Sequence, residues 1–338
     1  MHESPPSPVV NGPAGAAPAR PSRSIRRTSS VDMQFPGAFE DGLMLYGSAR
    51  DAITVDADRP PLVVDSATTE IAIGTNRSIE AITCQPSRAN IGDLVGSRGG
   101  GHLRAALDEV LPGERASGSP LYLLLDDISG TSLIAGWSIM RNLEPPPVNT
   151  DGPRRPSEGV CIGFSPGSSA LLPRGQSVLA PTAKRVVPLV NPADPDGWHD
   201  FKRPAGTASM RRARRIDVWR ESNGDGDVIV IDSAFQDSAH DDDGGRTAIH
   251  EYLLRATADA VTFELLSVEP DPRVLPFTEC PSAILNARNL VGTPIHELRT
   301  TVLERLGRMN GCTHLNDALR ALAEVPTLVA RLDATLNA

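Results

Sequence analysis

The feature that most constrains this chain is that it repeats itself. Cys84 opens CQPSRANIGDLVG and Cys280 opens CPSAILNARNLVG. In both stretches an Asn falls six residues after the Cys (Asn90, Asn286) and a Leu-Val-Gly triplet begins ten residues after it. The match runs on. GHLRAALDEVL (101–111) parallels HELRTTVLERL (296–306), aligning Leu103 with Leu298, Arg104 with Arg299, Glu109 with Glu304 and Leu111 with Leu306. GSPLYLLLDDI (118–128) then parallels GCTHLNDALRAL (311–322), one residue shorter. Self-similarity at this scale means one supersecondary unit used twice, and the fold must accommodate both uses.

Upstream of the matched stretches, each half offers a similar series of short extended runs. RSIRRTSSVDMQF and MRRARRIDVWRE come first, then GLMLYGSARDAIT and DVIVIDSAFQDSA, then TTEIAIGT and AIHEYLLRA, then SIEAITCQP and AVTFELLSVEP. They are alternating or β-branched and bounded by Gly, Asp, Asn and Pro, which is the pattern of strands. NGDGD (223–227) and DDDGG (241–245) are tight-turn sequences that close hairpins. Helical periodicity follows, with Leu298, Val302, Leu303 and Leu306 on one stripe, a further helix from Asn316, and a break at Pro326. The expected class is therefore α+β: two pseudo-symmetric copies of a roughly four-stranded antiparallel sheet, each followed by helices. The sheets are expected to join, as a barrel-like or a paired-sheet core; the sequence leaves that choice open. The expected divisions are a disordered Pro/Ala/Ser-rich tail at 1–22, a first, degenerate repeat at 23–148, a connector at 149–206 and a second repeat at 207–338.

Composition narrows the function classes. A net charge of −9 lacks the basic footprint that general nucleic-acid binding needs. No apolar run reaches the ~20 residues needed to span a bilayer, and the amino-terminal stretch has no charged n-region leading into an apolar h-region. Four cysteines in a long chain make no disulfide framework, so free thiols and a cytoplasmic location are expected. The expected partner is a small-molecule ligand; a homo-oligomer is compatible with a duplicated unit.

The second half holds the residues suited to chemistry. Cys312 and His314 stand at the start of an expected helix, where the dipole can lower a thiol pKa and a nearby His can act as general acid or base. Asn316 and Asp317 are placed to orient that His. The first half has Ser119, Pro120 and Leu121 in their place. Equally, Thr313 or Asn316 could cap the helix, with Cys312 and His314 as core residues. On the strand IHEY, His250 and Tyr252 share one face and Glu251 takes the other, so His250 and Tyr252 become ligand contacts if that face lines a cavity. Arg211 and Arg215 point one way and Arg212 and Arg214 the other. One pair, Arg215 foremost, could hold a substrate carboxylate or phosphate; otherwise the cluster is a solvated sheet edge. Cys280, preceded by Glu279, reads as packing. A metal set drawn from Cys280, Cys312, His314 and His250 follows no zinc-signature spacing, so no metal and no cofactor are expected. RRTSS (26–30) has the form of a basophilic phosphosite. GSRGGGH (96–102) lacks the Lys-Ser/Thr of a phosphate loop and reads as a loop before a helix.

RRARRIDVW, IHEY, the Glu-Cys-Pro of FTECPSA, LVG and above all GCTHLND resemble the bacterial family called domain of unknown function 2889, over about 207–326. CIGFSPGSSA and WHDF in the connector resemble its long form. Long relatives look like a phenylcoumaran γ-formaldehyde lyase. The resemblance thus implies a cofactor-free lyase or isomerase acting on a hydrophobic or aromatic metabolite. Its expected catalytic residues are His314, Cys312 and Asn316, with Tyr252, His250 and Arg215 as substrate contacts. The alternative is a non-catalytic ligand-binding or interaction protein.

Overall fold

The structure is a computed structural model that describes residues 8–37, 39–140, 158–172, 183–201, 208–222 and 226–337. Its first four strands form a meander: β1 (Ser24–Gln34), β2 (Leu43–Thr54), β3 (Leu62–Ile73) and β4 (Ile79–Gln85). Helices α1 (Gly101–Val110), α2 (Pro112–Ser117), α3 (Pro120–Ile134) and α4 (Trp137–Met140) follow. After the two-residue β5 (Lys184–Arg185) comes a second meander: β6 (Ser209–Ser222), β7 (Asp227–His240), β8 (Arg246–Asp259) and β9 (Leu265–Val274). Then come an eleven-residue 3-10 segment (Cys280–Leu290) and helices α5 (Leu298–Arg305), α6 (Thr313–Ala321) and α7 (Val325–Leu336).

All nine strands belong to one sheet, in the order β4-β3-β2-β1-β6-β7-β8, with β5 and β9 both on β8. The seam is the antiparallel pair β1–β6, in register from Ser24 opposite Trp219 to Gln34 opposite Ser209. The two expected four-stranded sheets are thus halves of a single open sheet. The barrel-like alternative is corrected, because the sheet is not closed: the two meanders meet edge to edge at β1–β6, which pairs the backbone groups of both inner strands.

The seam also overturns the reading of the arginine cluster as a solvated edge. Arg211, Arg212, Arg214 and Arg215 lie on a central strand and are buried. Ser29 and Ser30 of the phosphosite-like run are buried on β1 as well. The arginines can be there because each meets a carboxylate. Arg26 forks onto Asp217 (2.5 and 2.8 Å) and Arg211 onto Asp32 (2.5 and 2.8 Å). Bidentate pairs of this kind are what allow guanidinium burial.

One face of the sheet carries the helices. Two apolar clusters lie there, one under α1 and α3 (Leu45, Ile71, Leu107, Leu125) and one under α5, α6 and α7 (Ile231, Leu254, Leu319, Val329). The opposite face is covered by two chain segments. Residues 8–22 cross it as a strap: Asn11 donates to the Pro272 carbonyl (3.2 Å), the Ala14 N–H to Glu251 (2.8 Å), and Arg26 to the Pro18 carbonyl (3.0 Å). The expectation of a disordered tail at 1–22 is therefore corrected for residues 8–22. Their backbone groups find partners on the sheet, which low side-chain hydrophobicity did not foretell; residues 1–7 lie outside the described residues. The connector divides likewise. Residues 158–172 pack against the 3-10 segment, with Ile162 N–H on the Gly311 carbonyl (2.9 Å). Residues 183–201 cross the strap face, where Arg211 stacks on Trp198 and Phe201 and donates to the His199 carbonyl. The NGDGD turn falls largely on residues outside the described ones, whereas Asp241–Gly245 closes β7 to β8.

Candidate functional site

The site is built on one cross-strand row. On the helix-facing side Arg212 (β6) stands opposite Asp237 (β7), which stands opposite His250 (β8). The next row on that face is Arg214, Phe235 and Tyr252. Period-two alternation puts these residues on one side and Glu251 on the other, where Glu251 accepts from Gln236 (2.7 Å) and from the strap.

The start of α6 lies over these rows. Cys312 is its N-cap residue, and no side chain caps the helix. His314, in the first turn, lands flat on His250: the imidazoles stack with centroids 3.4 Å apart and planes 18° off parallel. Both approach the same carboxylate oxygen, His250 Nδ1 at 3.4 Å and His314 Nε2 at 3.8 Å from Asp237 Oδ2. Arg212 holds Asp237 from the far side with two hydrogen bonds (2.8 and 3.0 Å). Donor atoms of Asp237, His250 and His314 all fall within 4.8 Å of one another. His250 and Asp237 are sealed, while the His314 side chain keeps 13% of its surface exposed.

The electrostatics follow from burial. Desolvation, reinforced by the neighbouring ring, pushes the pKa of His314 well below the ordinary imidazole value. Desolvation lowers His250 as well, against the pull of Asp237. Burial works to raise Asp237, but the Arg212 charge and the contact with His250 outweigh it and hold the carboxyl ionised, below the usual range. At neutral pH the centre is thus two neutral imidazoles around one carboxylate.

A chain of ion pairs ties this centre to the other end of the sheet. Arg331 bridges Asp65 and Asp51; Asp51 holds Arg27; Arg27 and Arg299 share Glu324. Arg299 and Arg320 share Asp126, Arg320 reaches Asp317, and Asp317 and Asp127 both hold Arg212. Arginines and carboxylates alternate throughout, so little net charge is buried.

The residues singled out from sequence distribute unevenly. His314 and His250 come together, whereas Tyr252 lies beside Cys312, fully buried in the apolar core rather than facing a cavity. Cys312 is not activated: burial pushes its thiol up to about 11, opposite to the effect expected of a helix start. Its surroundings include Cys161 from the connector and Cys280, whose thiols burial also raises. Gly163 fits between these two sulfurs, since a Cβ there would lie 2.8 Å from Cys280 Sγ and 3.7 Å from Cys161 Sγ. Asn316 does not orient His314; its amide donates to the Leu306 carbonyl (2.7 Å) and ties α6 to the end of α5. Arg215 is on the opposite face of the sheet, paired with Asp217 and Asp232, and cannot share a ligand with His314. It lines a cavity of about 630 Å³ under the strap, together with Leu189, Ala234, Leu253 and Arg255. Cys84 and Cys280 also part company: Cys84 lies within β4 opposite Thr69, whereas Cys280 starts the 3-10 segment beyond β9. Sequence reasoning missed Asp237 and Arg212 as site residues. The available signal was an acid in the interior of a strand, in SAFQDSA, matched to a basic strand.

Fold and site together define an α+β protein with one open antiparallel sheet and a buried His–His–Asp centre. Residues 210–328, which supply all three side chains, match the family described as "Protein of unknown function (DUF2889)". No curated protein and no solved structure matches the chain. Among the described residues, no helix is long and apolar enough to cross a membrane.

Proposed function

We propose that this chain is a small-molecule enzyme of the lyase or isomerase class, acting on a hydrophobic or aromatic metabolite, with its reaction centre at Asp237, His250 and His314. The observation that carries the reading is the neutral, stacked imidazole pair anchored on an ionised carboxylate, with His314 the least buried of the three. Neutral imidazoles beside an ionised carboxylate can accept a hydrogen bond or a proton from a bound molecule. Phe235, whose ring centroid is 6.4 Å from that of His314, offers an apolar neighbour for a substrate.

The test is turnover. The purified chain is incubated with hydroxymethyl-bearing aromatic dimers, and products and released formaldehyde are followed by mass spectrometry. His314→Ala should abolish conversion while leaving the thermal midpoint nearly unchanged. Conversion undiminished in that variant would remove His314 from the reaction.

A second reading has its own support. The cavity beneath the strap lies on the face away from His314 and is walled by apolar side chains and by Arg215, Arg255, Asp232, Glu269 and Asp271. A non-catalytic ligand-binding protein would use that cavity, and a bound ligand would then be lost in Arg215→Ala but kept in His314→Ala. Duplication of one ancestral unit belongs to this proposal too. It is supported by matched left-handed residues, Arg77 with Phe263 and Gly96 with Gly292, all at positive φ and at corresponding turns. A cytoplasmic location is supported by four free, buried thiols.

A further inference from the structure

We infer that Asp237, His250 and His314 form a binding site for one divalent first-row transition-metal ion, of the zinc, iron or cobalt kind. The inference deepens the reading above, since it concerns the same centre, but binding itself does not depend on that reading's reaction.

Three observations carry it. First, the donor set is two imidazoles and one carboxylate, all within 4.8 Å of one another. This combination suits borderline divalent ions and disfavours magnesium and calcium, which take oxygen ligands. At ~2.0–2.2 Å from each ligand, the donors of a tetrahedral ion stand about 3.4 Å apart; His250 and Asp237 are already at that separation, whereas His314 must close from 3.8 Å and turn its ring out of the stack, since parallel rings aim their lone pairs side by side. His314 can supply that movement, because it stands in the first turn of α6 and is the least buried of the three.

Second, His250 is 3% exposed, yet its Nδ1 makes no well-formed hydrogen bond and is turned toward Asp237 and His314. Its nearest acceptor, Asp237 Oδ2, stands at a long 3.4 Å, so the nitrogen is under-satisfied and metal ligation would give it a full partner. Third, the surroundings resemble the support that ligands receive in metal centres. Arg212 fixes Asp237 by two hydrogen bonds and leaves carboxylate lone pairs on the imidazole side. The positive charge of Arg212 is answered by Asp127 and Asp317, so it does not by itself expel a cation. Three protein ligands leave further coordination positions open at the His314 edge. A water bound there would be acidified by the ion and would become the group that exchanges the proton.

The test uses the full chain, stripped with a chelator and titrated with Co²⁺ and Zn²⁺. Expected is one ion per chain, with cobalt d–d absorption that reports nitrogen and oxygen ligands. Affinity should fall at least ~100-fold in His314→Ala and in Asp237→Asn, a ligand loss being no milder than the 10–100-fold cost of losing a supporting group. Cys312→Ser should bind as the unaltered chain does. Because Asp237→Asn disturbs a buried pair, His314→Ala, at the surface end of α6, is the decisive variant, checked for fold by circular dichroism. No stoichiometric binding, binding unchanged in His314→Ala, or a thiolate-to-cobalt band lost in Cys312→Ser would each overturn the inference. Turnover is read separately. Turnover of the aromatic dimers by a chain that binds no ion keeps the enzyme and overturns the metal site; ion binding without such turnover keeps the site and sinks the enzyme.

Discussion

Ser29 on β1 stands directly opposite Arg214 on β6, and the ion pairs Arg26–Asp217 and Asp32–Arg211 lie three residues to either side of that point. The centre of the sheet is thus written in charge rather than in apolar side chains. On the helix face the same strands send Arg27 to Asp51 and Arg212 to Asp237, again one from each half.

Replacing one member of a buried pair strands the other. Arg27→Met takes the shared cation from Asp51 and Glu324, which keep only Arg331 and Arg299 respectively, and should cost about 2–4 kcal/mol in urea unfolding. Arg220→Ala breaks the half-exposed pair with Asp333 and should cost less than about 1 kcal/mol. Equal effects would show that this buried cluster is no different from a surface pair.

Gly130 on α3 lies against the Arg212 guanidinium so closely that an added Cβ would fall inside it. Gly130→Ala should therefore destabilise the chain by about 1–3 kcal/mol, despite the better helix propensity of Ala. A gain in stability would mean that α3 and β6 are less tightly apposed.

His199 supplies a pH dependence. Burial, then the nearby charges of Arg50 and Arg211, depress its pKa from 6.5 to about 4, and its ring meets Thr28 at 3.0 Å. Below pH 6.5 the unfolded chain binds a proton that the folded chain refuses, so stability falls as the pH drops from 6.5 toward 4. The loss should approach an order of 3 kcal/mol. In His199→Gln, unfolding measured across that window should show a shallower slope; an unchanged slope would mean that His199 is protonated in the fold.

The strap should behave as part of the structure. Ala14→Pro removes the N–H that Glu251 accepts, leaving a buried carboxylate with one partner fewer. About 1–3 kcal/mol should be lost, and hydrogen exchange of the Asn11 amide should quicken. Unaltered exchange would mean that the strap is held by other contacts.

The pattern of apolar and polar residues made the strands legible, together with the shared face of His250 and Tyr252 and the opposite face of Glu251. That the strands run on as one sheet was not legible, because a run of arginines looks identical on a solvated edge and on a paired inner strand. The carboxylates that decide the matter, Asp127, Asp237 and Asp317, are brought in by tertiary packing. Asp237 escaped notice for the same reason, as its meaning depends on register with Arg212 and His250. The raised thiol of Cys312 depended on depth of burial, which spacing does not reveal.

The seam has a practical consequence. β1 and β6 present complementary edges, matched residue by residue and charge by charge, and neither edge is satisfied without the other. A polypeptide cut between Met140 and Glu158 would yield two fragments, each exposing a template for its lost counterpart. Expressed together, such fragments are candidates for spontaneous reassembly. Expressed singly, each is expected to aggregate along the same bare strand.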